Sequence, residues 1–175
     1  RDDFSDESLD VALAKVNIPA KPEPIYLPAG TTSLTAWTKQ DPYVVHHFYW
    51  VVLEGAEGRQ VTVTFGQIGE KWEKKSSDVP THLVEPVELV SIQTFMQVGA
   101  DGGAATVWSM DDLKAIGPGF ETTLLDFEGE NLWTPFPTSN GLDDSFDVVA
   151  EPTGIGDVGA SVGQMTLDRG TVAGI

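Results

Sequence analysis

Residues 43–68 read YVVHHFYWVVL, then EGAEGR, then QVTVTFGQI. The first run is β-branched and aromatic throughout, and both of its faces are apolar in the middle. The last run alternates, with Val61, Val63 and Phe65 on one side and Thr62 and Thr64 on the other. Period-two alternation places one side of a strand in a core and the other outside it. The glycine-containing segment between the runs is short enough to return the chain on itself, so the pair reads as an antiparallel hairpin.

The same texture recurs along the chain. TTSLTAW, ELVSIQTFMQV, ATVWSM, FETTLLDF and SFDVVA are strand-like, separated by clusters rich in Gly, Pro, Asn and Asp. Helical periodicity never lasts beyond two turns. Turn signals every ten or so residues with about seven to nine strands predict an all-β chain, an antiparallel β-sandwich of jelly-roll-like kind. Some segments read differently. VALAKVN predicts one or two helical turns, DDLKAI at most one, and EKWEKKSSDVP a polar loop.

The ends change character. Residues 1–24 are acidic and then proline-rich, which predicts an N-terminal arm; residues 25–151 form the sandwich domain; residues 152–175 are glycine-rich and predict a C-terminal arm. The chain starts on Arg1, which fits a processed product.

Charge narrows the partners. Ten basic residues face 27 acidic ones, a formal net charge of −17, and the stretch from Ala115 to Asp168 has no Lys or Arg. Such a surface repels phosphate backbones, so direct nucleic-acid binding is not expected. The longest apolar run, Phe48–Leu53, is far short of the roughly 20 residues a membrane-spanning helix needs, so no membrane insertion is expected. Cysteine is absent, which removes disulfides and thiolate chemistry.

Two catalytic patterns overlap in TGIGDVGASVG. Gly154, Gly156 and Gly159 spell the dinucleotide-binding glycine pattern, and Gly159, Ser161 and Gly163 the hydrolase elbow. Both need a helix directly after the turn, and a glycine-rich segment cannot supply one. No histidine follows Ser161, and His46 and His47, being adjacent, point to opposite sides of a strand. The chain is therefore expected not to be an enzyme.

Carboxylates and tryptophans are the remaining candidates. Asp126, Glu128 and Glu130 fall on one face if the segment is a strand, Asp143 and Asp144 follow a turn, and Asp111 and Asp112 form another pair. Clustered loop acids suit calcium, so the first five are candidate calcium ligands, with no other cofactor expected. Trp37, Trp50 and Trp108 lie in strand-like runs and are expected in the core. Trp72 sits among charges and Trp133 beside a turn, so either suits stacking on a sugar or filling a partner's pocket.

Two functions fit. One is a non-enzymatic structural or assembly protein, a virion coat or surface subunit whose arms contact other copies or other subunits. The alternative is an extracellular carbohydrate-binding module, with calcium as an option. The expected location is the virion or the extracellular space.

Overall fold

The computed structural model describes residues 11–17, 24–41, 47–97, 106–128, 134–135, 145–150 and 159–167. Among them there are strands, turns and loops and no helix. The strands are β1 (Val11–Asn17), β2 (Ile25–Tyr26), β3 (Ser33–Asp41), β4 (His47–Glu54), β5 (Gln60–Gln67), β6 (Glu73–Asp78), β7 (Glu88–Gln97), β8 (Thr106–Gly117), β9 (Phe120–Leu125), β10 (Thr134–Pro135), β11 (Ser145–Ala150) and β12 (Ser161–Leu167). All pairings are antiparallel. Sheet A runs β10-β1-β7-β4-β5, with β2 also on β7; sheet B runs β11-β12-β8-β3-β6, with β9 also on β8.

The two sheets pack as a β-sandwich because their strands alternate. In β3 every even-numbered side chain from Leu34 to Gln40 is buried and the odd ones are half-buried. From sheet A, Tyr49, Val51, Leu53, Val63, Phe65, Leu89 and Ile92 meet Leu34, Ala36, Trp108, Met110, Leu113 and Ala115 of sheet B. Each large apolar side chain so buried contributes roughly 1.5–3 kcal/mol. At the centre Tyr49 stacks on Phe65, with ring centroids 4.5 Å apart, and meets Trp108 across the sheets at 5.1 Å. The indole N–H of Trp108 donates to the Thr38 hydroxyl at 2.6 Å, so this buried polar pair is satisfied.

The hairpin read from residues 43–68 is present as β4 and β5, paired from Phe48↔Gln67 to Glu54↔Gln60. Four other readings are corrected. VALAKVN is not helical: it is β1, paired over seven residues with β7, because a partner edge outweighs a weak helical preference in so short a segment. EKKSSD is not a loop but β6, which pairs with β3 at the rim of sheet B, where charges are tolerated. DDLKAI is not a helical turn but the second half of β8: Leu113 and Ala115 point into the core, while Lys114 and Ile116 stay half-buried. Trp37 and Trp50 are not core residues; both are half-buried and point away from it. In addition, SVGQMTL within the glycine-rich end forms β12, held between β11 and β8, with Val162 wholly buried. The sheets thus extend past both boundaries of the 25–151 segment.

Candidate functional site

Strand β8 is the axis of sheet B. One of its sides is lined by β3. Its other side is shared: β12 pairs with Thr106–Met110 and β9 with Leu113–Gly117. Asp111 and Asp112 fall in the gap between these two partners. There the β3–β8 register slips, and Asp112 adopts a positive φ of 53°, a left-handed conformation that Asp tolerates better than most residues.

Carboxylates fill the gap in place of a strand. Asp111 Oδ2 accepts the Gly159 N–H at 2.8 Å and its Oδ1 accepts the Asp112 N–H at 2.7 Å. Glu128 Oε1 accepts the Ser161 N–H at 2.8 Å, so the entry to β12 is held by two acids. A Cβ at 159 would meet the Glu128 side chain, so a larger residue there would turn that carboxylate away from the Ser161 N–H. Asp112 pairs with Lys114 at 2.6 Å, and Lys114 also reaches Glu121 at 3.0 Å. Burial pushes the Asp111 carboxyl up to about 6. Its two backbone N–H donors work against that, and the negative charges of Asp112 and Glu128 add to it. A carboxyl in this range suits proton transfer. However, Asp111 is only 1% exposed and each oxygen already holds a backbone N–H, so it acts as a structural acceptor.

The outward face of sheet B carries a second feature. Register places Lys74, Trp37 and Asp111 side by side across β6, β3 and β8. One step along, the Lys39 ammonium lies 5.4 Å from the centre of the Trp72 ring, a cation–π contact. The indole N–H groups of Trp37 and Trp72 and the Thr35 hydroxyl are buried without a hydrogen-bond partner among the described residues.

The sequence candidates divide accordingly. Trp72 is half-buried beside Lys39, at the start of the edge strand β6. Asp126 and Glu128 do not lie on one face of a strand. Strand β9 ends at Leu125, Phe127 turns left-handed with φ 54°, and Asp126 Oδ1 accepts the Glu128 N–H at 3.2 Å. The expectation of a strand face fails here because the short Asp side chain caps a turn. No group of three or more potential metal ligands converges among the described residues. Glu130, Asp143, Asp144 and Trp133 lie outside the described residues. Ser161 and Gly163 belong to a strand, so a strand stands after Gly159 where both glycine patterns require a helix.

Sequence reasoning missed Trp37, Lys39 and the role of Asp111. An i, i+2 Trp/Lys pair on an alternating strand was the available signal for the first two. For Asp111, it was the Asp-Asp interruption between two inward-alternating runs.

The chain matches no protein-family model and no curated protein.

Proposed function

We propose that the chain is a non-enzymatic structural subunit of a larger assembly, of the virion coat or surface class. What supports this reading is that two strands far in sequence from the central hairpin are built into the sheets by backbone pairing on both sides, β1 between β10 and β7 and β12 between β11 and β8. Val11–Asn17 lies along β7 and Ser161–Leu167 along β8. Strands held by backbone pairing to remote segments are elements that subunits of an assembly can exchange. On this reading the sandwich is jelly-roll-like with arms at both ends, its partners are other copies or other subunits, and its location is a virion or the extracellular space. The test is the solution mass of the whole chain by size-exclusion chromatography with light scattering. A discrete oligomer is expected, and removal of residues 1–10 or 168–175 should shift it. An 18.8 kDa monomer at all concentrations would overturn self-assembly.

A second reading, a carbohydrate-binding module, draws support from the outward face of sheet B, where Trp37, Lys39, Trp72 and Lys74 sit together. Aromatic faces stack on sugar rings, and lysines favour acidic sugars. Glycan screening with and without calcium tests it, with Trp72→Ala and Trp37→Ala expected to abolish any binding found.

A further inference from the structure

We propose that Asp111 is a proton-operated latch on the entry of β12: with a proton on its carboxyl the entry stays docked on sheet B, and loss of that proton loosens it. The latch goes beyond the assembly reading and works within a single copy of the chain.

Its parts come from strand geometry. On one side of β8 the partner changes from β12 to β9, and residues 111 and 112 fall at the change. The entry of β12 is tied there by side chains. The Gly159 N–H donates to Asp111 Oδ2 at 2.8 Å, and two residues on, the Ser161 N–H donates to Glu128 Oε1 at 2.8 Å. Gly159 and Ala160 are exposed, whereas Val162 is buried in sheet B, so the entry can lift while the body of the strand stays. Lifting breaks the Gly159 bond and opens to water a carboxyl that is buried when the entry is docked.

The docked arrangement disfavours charge on Asp111. Asp112 stands beside it on β8, and the turn after β9 brings Asp126 and Glu128. Lys114, further along β8, is engaged by Asp112 at 2.6 Å and by Glu121 of β9 at 3.0 Å. On β3 the register neighbour is the uncharged Trp37, with Lys74 of β6 beyond it, and Lys39 lies against Trp72. Gly159, Ala160 and Ser161 bring no charge. Burial above all, then the negative charges of Asp112 and Glu128, hold the docked carboxyl up at about 6 against the pull of its two backbone N–H donors.

A carboxyl open to water ionises near pH 4, so the docked entry binds the proton more tightly than the lifted one. Docking is therefore strongest below about pH 4 and weakens as pH rises to about 6, by about a hundredfold in the docking equilibrium. Protonation does not cost the docking bond, because a neutral carboxyl oxygen still has a lone pair for an N–H.

The test is backbone hydrogen exchange in the whole chain by NMR, from about pH 4 to about pH 7, corrected for the intrinsic pH dependence of exchange. The Gly159 and Ser161 amides should exchange through a small opening that low denaturant scarcely promotes, unlike the β4–β5 amides. Their protection should fall by about a hundredfold up to about pH 6 and then level off. Asp111→Asn should make it flat with pH. The three histidines ionise in a neighbouring range, and this variant separates their effect from that of Asp111. Should the variant misfold, the Asp111 carboxyl carbon and the Gly159 amide of the wild-type chain should titrate together with a midpoint near 6. Gly159 and Ser161 protection that is constant with pH, that matches the β4–β5 amides in denaturant, or that still falls in Asp111→Asn would overturn the latch, as would an Asp111 midpoint near 4.

Discussion

Trp50 in sheet A and Trp37 in sheet B hold matching places. Each is a half-buried tryptophan on the outward face of a strand paired on both sides, β4 between β7 and β5, β3 between β8 and β6. Their surroundings differ. The Trp50 N–H donates to Gln93 Oε1 at 2.9 Å, and the Gln93 amide donates on to Ser91 Oγ at 3.0 Å. Among the described residues the Trp37 N–H has no acceptor and the neighbouring Thr35 hydroxyl no partner, beside the buried Asp111. A buried donor left unpaired costs about 1–3 kcal/mol. At Trp50 the outward face of sheet A is thus satisfied by its own side chains. Sheet B's outward face retains polar atoms whose needs the described residues do not meet, and it is the face on which binding is proposed.

The largest test sets the scale between the two faces. Trp108 touches both sheets, and Trp108→Ala should destabilise the fold by about 3–5 kcal/mol in chemical denaturation, since it empties the core and strips Thr38 of its donor.

Next comes the acid in sheet B. The Asp111 carboxyl is raised to about 6, so the folded chain keeps a proton that the unfolded chain releases from about pH 4 upward. Its contribution to stability is present at low pH and falls as pH rises from about 4 to 6, by roughly 2–3 kcal/mol at most. Denaturation midpoints of wild type and Asp111→Asn should converge or cross in the variant's favour over that interval. Parallel profiles would remove the acid from the contrast.

Gly159→Ala should cost up to about 1 kcal/mol, because the new methyl displaces the exposed Glu128 carboxylate from the Ser161 N–H. Glu128→Ala should cost about as much, and the double variant little more than either.

The smallest test addresses the two tryptophans directly. Trp50→Phe strands the Gln93 oxygen and should lower stability by about 1 kcal/mol. Trp37→Phe deletes an unpaired donor and should be neutral or stabilising by a similar amount. Equal losses at both sites would break the comparison.

Legibility in the residue pattern depends on range. The β4–β5 hairpin was legible because its alternation and its loop are contiguous. β6 was not, because EKKSSD becomes a strand only through the Ser33–Thr38 backbone beside it. β1 and β12 likewise depend on distant partners, and β8 was hidden by an Asp-Asp bulge that breaks its alternation. At the candidate site the acids were visible as a composition. Their pairing with the N–H groups of Gly159 and Ser161, more than 30 residues away, was not. Phe127 had no sequence mark of its left-handed turn.

The β3–β8 pairing also bears on how the chain reaches this state. Thr38 and Trp108, joined in the core, are 70 residues apart, and β8 gains its β12 neighbour only from residues 163–167. The β4–β5 hairpin needs no such distant contact, and a hairpin closes in about 1–10 μs. Sheet B must wait for the encounter of remote segments, and topologies dominated by such contacts fold in roughly milliseconds to seconds. During synthesis, the central strands of sheet B therefore emerge well before β12, and the Thr106–Met110 half of one side of β8 stays open until residues 163–167 arrive.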